Sequence, residues 1–68
     1  MKVFAERLTE LRRQYKYTQR QMADILGISQ PSYIRYENDT SEPTQENLVK
    51  LADTFDVTVD YLLGRSDI

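Results

Sequence analysis

The chain has 68 residues, of which 40% are hydrophobic and 29% are charged, and it contains neither cysteine nor histidine. Its length allows one small domain, and its composition excludes a disulfide framework and the usual thiolate or imidazole metal sites. No run of residues approaches the length of a membrane span and no signal peptide precedes the first predicted helix, so we expect a cytoplasmic protein without a membrane partner.

The net charge of −2 is divided unevenly along the chain. Residues 1–37 carry seven Lys and Arg against four Asp and Glu, a balance of +3, whereas residues 38–68 carry two against seven, a balance of −5. A nucleic-acid-binding surface is expected to be basic, so the first half of the chain is the better candidate for one. The acidic second half would weaken non-specific affinity for nucleic acid without preventing specific binding.

The first predicted helix covers residues 3–15, in which apolar side chains recur at helical spacing. The members of this apolar stripe are Phe4, Leu8, Leu11 and Tyr15. Arg7, Arg12 and Arg13 lie off the stripe, and we interpret them first as solvated charges, because most arginines are exposed.

The second predicted helix begins after Thr18, a favourable N-cap that has Gln21 at the spacing of a capping box. Its apolar face consists of Met22, Ala23, Ile25 and Leu26. Gly27 tolerates a positive φ without steric cost, so we expect the helix to end there in a tight turn.

The third predicted helix begins after another N-cap, Ser29, and runs to about Glu37. Pro31 lies in its first turn, where a missing N–H costs no intrahelical hydrogen bond. We expect Tyr33 and Tyr36, which are three residues apart, to face the core. That leaves four side chains on the outer face of the helix: Gln30, Pro31, Ile34 and Arg35.

This outer face combines an amide, a proline, an aliphatic side chain and a guanidinium, whereas a solvent-facing helix surface is usually charged. Gln can form two hydrogen bonds with adenine and Arg with guanine, while aliphatic groups contact the methyl group of thymine. These residue types therefore suit the reading of DNA bases. The residues alone also allow a plainer interpretation, in which the two helices are an ordinary packing unit with a mixed surface.

The rest of the chain predicts a loop and two further helices. Residues 38–43 are rich in turn formers, and Thr44 then caps a helix. The apolar stripe of that helix is Leu48, Leu51, Ala52 and Phe55. Thr58 caps a short final helix over residues 59–63, which closes at Gly64.

Two sets of residues resemble the Cro/C1 phage-repressor family of helix-turn-helix proteins, also called the xenobiotic-response-element type. The first set is Thr18-Gln19, Ala23, Gly27, Ile28-Ser29-Gln30, Ser32, Arg35 and Glu37. The second set is Pro43-Thr44, Leu48, Leu51-Ala52, Val57 and Tyr61-Leu62-Leu63-Gly64. The resemblance covers about residues 4 to 64. It implies a lambda-repressor-like fold, namely a single compact all-α domain over residues 1–68 with five helices and a helix-turn-helix at about 18–37.

The resemblance implies a sequence-specific regulator of transcription, most simply a repressor, that binds double-stranded DNA. The third helix, which we call the recognition helix, would enter the major groove. Its base contacts would come from Gln30, Pro31, Ile34 and Arg35. Contacts with DNA phosphates would come from Thr18, Gln19, Ser32, Asn38 and Thr40. Behind the recognition helix, Arg12 would form a structural ion pair with Glu37.

The family also implies a homodimer formed through the final helix, with dimerisation that can be weak until the protein binds DNA. We expect Val59 and Leu62, at i and i+3, to lie on the outer face of that helix, with Tyr61 and Leu63 turned to the core. Two-fold symmetry would then require a near-palindromic operator.

The sequence departs from the family at several positions. Lys16, Asp39 and Asp56 stand where relatives often carry glycine. We expect a strained turn conformation at Lys16, whereas aspartate tolerates the left-handed region, so the turn at Asp39 survives. Pro31 replaces a polar base-contacting residue in many relatives. Tyrosines replace the usual aliphatic residues on the inner face of the recognition helix, which would place this helix slightly farther from the core.

Two alternatives belong to other functional classes. The same fold could be a protein-interaction module, such as the antitoxin half of a toxin–antitoxin pair, with its apolar last helix holding the partner. An enzyme has little support, because the chain lacks His, Cys, a phosphate-binding glycine loop and a nucleophile–base pair. Asp56 and Asp60 are better explained as a turn acid and a helix N-terminal acid than as catalytic carboxylates. We therefore expect no catalytic residue, no cofactor and no metal.

Overall fold

The computed structural model describes residues 2–68, and within this range the chain forms five α-helices and no β-strand. They are α1 (Lys2–Gln14), α2 (Gln19–Leu26), α3 (Gln30–Glu37), α4 (Gln45–Phe55) and α5 (Val59–Leu62). The predicted all-α, five-helix fold is therefore confirmed. None of the helices in residues 2–68 combines the length and the apolar content needed to cross a membrane.

Each helix from α2 to α5 begins at a hydroxyl side chain that accepts a hydrogen bond from a backbone N–H three residues later. These N-caps are Thr18, Ser29, Thr44 and Thr58, as the sequence predicted. At Thr18 the capping box is complete, because the side chain of Gln21 also accepts a hydrogen bond from the Thr18 N–H at 2.8 Å. The four caps fix the starting points of short helices that would be marginal in isolation.

The core is built from one side of each helix and includes both inward tyrosines of α3. Its buried members are Phe4, Leu8, Leu11, Met22, Ala23, Leu26, Tyr33, Tyr36, Leu51, Ala52, Phe55 and Leu62. Two residues that we predicted on apolar faces are exposed instead of buried. Ile25 is 39% exposed, and Tyr15 is 44% exposed because α1 ends before it. The Tyr15 ring still packs edge-on against Phe55, with 5.2 Å between ring centroids.

Three non-glycine residues adopt the left-handed backbone conformation at the turns that follow helices. Lys16 after α1 and Asp39 after α3 both have φ 61°, and Asp56 after α4 has φ 53°. A residue with a Cβ pays roughly 1–2 kcal/mol in this region. The strained turn expected at Lys16 is therefore present, and the turns at Asp39 and Asp56 form without glycine.

Leu62 corrects the prediction for the final helix. Its side chain is fully buried, so it is not on the outer face as we expected, whereas Val59 is partly buried against the core. The helix has only four residues, and a single turn offers no repeated apolar pattern from which its inner face can be identified. Leu62 belongs to the core and is unavailable to a partner.

Arg7 corrects a second interpretation, because it is not a solvated charge. Its guanidinium donates hydrogen bonds to the carbonyl oxygens of Tyr61 and Ser66, the latter at 2.7 Å, and its Cζ lies 4.2 Å from the centroid of the Tyr61 ring. A carboxylate oxygen of Asp67 lies 3.7 Å from Nη2 of Arg7. Arg7 thus holds α5 and the following residues against α1.

Four side chains from three helices meet at the end of α3, and we call them the Glu37 cluster: Arg12, Gln19, Tyr33 and Glu37. Oε2 of Glu37 accepts hydrogen bonds from Arg12 Nε at 2.6 Å and from the Tyr33 hydroxyl. Oε1 accepts from Arg12 Nη2 at 3.1 Å and from Gln19 Nε2 at 3.2 Å. The Arg12 and Glu37 side chains are only 13% and 5% exposed. The pair is therefore buried, and its carboxylate accepts four hydrogen bonds.

We predict that Arg12→Ala and Glu37→Ala each lower the melting temperature strongly. Removing one partner of a buried pair costs roughly 3–5 kcal/mol, because the other charge stays buried without compensation. Thermal melts followed by circular dichroism measure this. Lys50→Ala is the control, since Lys50 and Glu46 form a pair at 3.5 Å whose side chains are 43% and 78% exposed. Such a pair contributes about 0–1 kcal/mol. Similar melting temperatures for all three variants would contradict the prediction.

We also predict that acid removes the contribution of Glu37 to stability. Burial would raise the pKa of Glu37, but hydrogen bonds from Arg12, Tyr33 and Gln19 hold it below its ordinary value of 4.5. A lowered folded-state pKa gives stability that is complete above the unfolded-state pKa and is lost as the pH falls through the folded-state pKa. The difference in unfolding free energy between wild type and Glu37→Gln should therefore shrink as the pH falls from the ordinary pKa of 4.5 through the lowered folded-state pKa.

Urea denaturation at each pH measures this difference, and exposed Glu46→Gln serves as the control. A difference that stays constant across the whole pH range would show that the folded state does not favour the ionised form of Glu37.

Candidate nucleic-acid interface

The two helices of the helix-turn-helix are joined rigidly at Gly27. This residue has φ 69°, and its N–H is directed at the carbonyl oxygens of Ala23 and Asp24. The N–H of Ile28 donates to the carbonyl oxygen of Ala23 at 3.0 Å, which closes the end of α2. Ser29 then starts α3 directly, so little freedom remains between the two helices.

The structure brings the four predicted base-reading side chains together on the outer side of α3. Gln30, Pro31 and Arg35 are exposed and Ile34 is partly exposed, while Tyr33 between them is fully buried. Positions i, i+1, i+4 and i+5 of a helix share one face. Within residues 2–68, the side chains of Gln30 and Arg35 have no hydrogen-bond partner. Their donors are therefore available to a ligand.

The predicted phosphate contacts fall into two groups. Thr18 and Gln19 lie at the start of α2, where Gln19 is partly buried and one of its amide N–H groups already binds Glu37. Asn38 and Thr40 follow α3 and are exposed. Because Gln19 contacts Glu37, the start of α2 lies beside the residue that leads into this loop. The two groups are neighbours in space although about 20 residues separate them in sequence.

The hydroxyl groups among these residues are partly engaged. Ser32 is partly buried, and its Oγ accepts a hydrogen bond from Ser29 Oγ at 2.8 Å. Thr40 Oγ1 donates to the carbonyl oxygen of Arg35 at 3.3 Å, which is a long hydrogen bond. A hydroxyl group that accepts can still donate, so Thr18 and Ser32 each retain a donor for a ligand.

Sequence reasoning missed the polar contacts behind α3. We expected Tyr33 and Tyr36 only as core residues, but the Tyr33 hydroxyl donates to Glu37 and the Tyr36 hydroxyl accepts from Asn47 Nδ2 at 3.2 Å. Buried tyrosines usually find a partner for the hydroxyl group, and Glu37 stands four residues after Tyr33, so a signal was present. These bonds tie α3 to Arg12 on α1 and to α4.

Near neutral pH the Glu37 cluster contains an ionised carboxylate, an ionised guanidinium and a protonated tyrosine hydroxyl. Burial and the hydrogen bond to Glu37 raise the pKa of Tyr33, so its hydroxyl stays a donor. The hydrogen bond to Glu37 raises the pKa of Arg12, which stays a cation. One cation and one anion then cancel, so the cluster adds no net charge to the interface.

Comparison with known proteins gives the same family as the motifs. A family model described as helix-turn-helix matches residues 8–62. The chain is 50% identical over 60 residues to the cryptic phage CTXphi transcriptional repressor RstR of Vibrio cholerae, a match that covers 88% of this chain and 54% of that protein. It is 47% identical over 60 residues to the regulator AnsR of Bacillus subtilis, with 88% and 52% covered. The chain thus spans about half the length of these relatives.

Among solved structures, the fold is similar to that of the P22 c2 repressor in a crystal structure with a synthetic operator. The TM-score is 0.85 at 28% sequence identity, over 93% of this chain and 96% of that chain. The repressor's DNA-binding domain, solved by nuclear magnetic resonance, gives a TM-score of 0.80 at 30% identity, over 88% of this chain and 79% of that chain. Since the family model covers most of the sequence, the chain belongs to the Cro/C1-type helix-turn-helix family of transcriptional regulators.

Proposed function

We propose that this chain binds double-stranded DNA at a specific sequence and represses transcription by occupying a promoter. The observation that carries the proposal is the outer face of α3, where unpaired hydrogen-bond donors stand beside apolar groups on a helix fixed from behind. The P22 c2 repressor, whose structure was solved with an operator, has a similar fold, and RstR is a repressor. These similarities favour a regulator over an antitoxin-like interaction module.

The base contacts are divided by chemistry. Gln30 can bind N6 and N7 of adenine, and Arg35 can bind O6 and N7 of guanine. Ile34 and Pro31 offer apolar surface to the methyl group of thymine. The N-terminal part of α3 supplies two of the four contacts, as expected when the N-terminal residues of a recognition helix reach the base edges.

The phosphate contacts place the protein on the duplex. Thr18 and Gln19 stand at the start of α2, where free backbone N–H groups and the helix dipole favour an anion. Ser32 and Asn38 offer further neutral donors, whereas the Thr40 hydroxyl would have to leave the carbonyl oxygen of Arg35 to reach a phosphate. Because the start of α2 and the loop after α3 are neighbours, both can follow one stretch of DNA backbone.

The working unit is a homodimer on a near-palindromic operator, with α5 at the interface. One recognition helix offers four reading side chains, too few to select a site among roughly 10⁶–10⁹ competitors in a genome. With Leu62 in the core, Val59 is the candidate contact on α5. Arg7 holds α5 in place, which suits a surface that must present a fixed shape.

We also propose that residues 1–68 act as a single DNA-binding domain in the cytoplasm. The five helices contribute to one hydrophobic core, which supports a single domain. The family is one of DNA-binding regulators, so no catalytic residue, metal or cofactor is needed for this function.

We predict that Gln30→Ala and Arg35→Ala each cost roughly 1–3 kcal/mol on the preferred site and relax the preference at one base pair. The site is first selected from a pool of random duplexes, and affinities are then measured on it and on its single-base variants. Arg65→Ala removes the same charge from an exposed position after α5 and is the matched control. Equal losses on selected and random duplexes would assign Gln30 and Arg35 to phosphate contacts instead.

We predict two chains per palindromic site, bound cooperatively, with half-sites centred about 34–36 Å apart. Val59→Asp should abolish the cooperativity, because it adds a charge at the interface and not at α3. Since Val59 is also partly buried against the core, thermal melts establish that half-site affinity, which should be unchanged, is measured on folded protein. Val49→Asp, at a 51% exposed position on α4, is the matched control. Binding stoichiometry and titration of full and half-sites measure the effect. One chain per full site, or undiminished cooperativity in Val59→Asp, would reject an interface on α5.

A further inference from the structure

The hydrogen bonds to Glu37 fix the orientation of its carboxylate. An ionised carboxylate has about four acceptor positions, and here four donors occupy them. Arg12 binds both oxygens through its planar fork. The Tyr33 hydroxyl occupies the second acceptor position of Oε2. The second acceptor position of Oε1, beside Arg12, is therefore the one that Gln19 occupies.

The amide of Gln19 is oriented by this arrangement. A carboxylate can only accept hydrogen bonds, so the NH₂ group of Gln19 must face Glu37, at 3.2 Å from Oε1. The flipped amide would place its carbonyl oxygen against the carboxylate oxygen, and the two would repel. One N–H of the NH₂ group is then used, and the second N–H is free.

A DNA phosphate also only accepts hydrogen bonds, so it needs the same NH₂ group. We propose that Tyr33 is a positioning residue for the DNA backbone contact, acting through Glu37 to hold the Gln19 amide with its second N–H available to a phosphate. The inference rests on the proposed function, in which Gln19 contacts DNA. It adds that a buried hydroxyl group of the recognition helix controls a contact made by α2.

Tyr33 and Tyr36 offer a matched comparison. Both are buried on the inner face of α3, and both have a bonded hydroxyl group. Only Tyr33 binds Glu37, whereas Tyr36 binds Asn47. Replacing either with Phe removes one hydroxyl group from the same helix, but only Tyr33→Phe disturbs the orientation of the Gln19 amide.

The test is a double-mutant cycle on DNA affinity, which measures coupling between two sites. Gln19→Met keeps the length of the side chain and removes its hydrogen bonds. We expect Tyr33→Phe to weaken binding about two- to tenfold on both selected and random duplexes, as loss of one phosphate hydrogen bond would. This loss should disappear in the Gln19→Met background. Tyr36→Phe should show no coupling to Gln19→Met. Melts of every variant establish that binding is measured on folded protein.

Additive effects of Tyr33→Phe and Gln19→Met would overturn the proposal, as would equal coupling for Tyr36→Phe. Gln19→Met without any loss of affinity would overturn it as well, while leaving the base contacts and the proposed function intact. Failure of the wild type to prefer any duplex would instead reject the proposed function itself.

A second measurement needs no DNA. In a ¹⁵N-edited spectrum the side-chain NH₂ group of Gln19 should show one proton shifted by its bond to Glu37. The shift should move in Tyr33→Phe and stay unchanged in Tyr36→Phe. An unchanged signal in Tyr33→Phe would show that Tyr33 does not orient this amide, whatever the chain binds.

Discussion

The carboxylate of Glu37 is the point on which the arrangement of the first three helices depends. Its donors come from Arg12 on α1, Gln19 on α2 and Tyr33 on α3, which carries Glu37 itself. A buried charge is costly unless it is paired and its remaining lone pairs are satisfied. In the Glu37 cluster the charge is paired and all four acceptor positions of the carboxylate are occupied. The cluster therefore satisfies its own buried groups and also fixes how three helices meet. Removing any one donor loosens the contacts of the others.

Such a fixed point matters because the proposed DNA-reading surface is small and built from short elements. The helices α2 and α3 have eight residues each, which is too short for stability in isolation. Their relative position is therefore set by contacts across the domain: the turn at Gly27, the Glu37 cluster, and the bond between Tyr36 and Asn47. On the inner face of α3, the rings of Tyr33 and Tyr36 pack in the core and their hydroxyl groups form hydrogen bonds. Both kinds of contact restrain the position of the outer face.

Much of this architecture was predictable from local sequence. Caps and turns depend on residues a few positions apart, so Thr18, Ser29 and Gly27 identified the boundaries of α2 and α3 correctly. The contacts of Arg7 were not predictable, because Ser66 lies 59 residues away and no periodicity links the two. The burial of Leu62 was missed for the opposite reason, since a four-residue helix carries too little pattern. The Gln19–Glu37 bond joins two motif positions whose side-chain contact the motif alone does not specify.

The charges of the domain explain why precise positioning is needed. Arg7 and Arg12 are held within the protein, which leaves five exposed cations in the first half of the chain: Lys2, Arg13, Lys16, Arg20 and Arg35. Three exposed acids accompany them in the same half: Glu6, Glu10 and Asp24. Under the proposed function, charge attraction and counterion release, which do not require exact positions, would therefore contribute little to the affinity for DNA.

The five proposed phosphate contacts are all uncharged, so their contribution depends on hydrogen bonds with strict distance and angle requirements. A protein that binds DNA through neutral donors must hold those donors in place before it binds, because ordering them on the DNA would cost affinity. Under the proposed function, the buried hydrogen bonds behind α3 would hold those donors in place. Under the proposed function, the small excess of exposed cations in the first half of the chain and the fully bonded Glu37 carboxylate are thus connected, because well-positioned neutral donors would supply the binding that charge supplies only weakly.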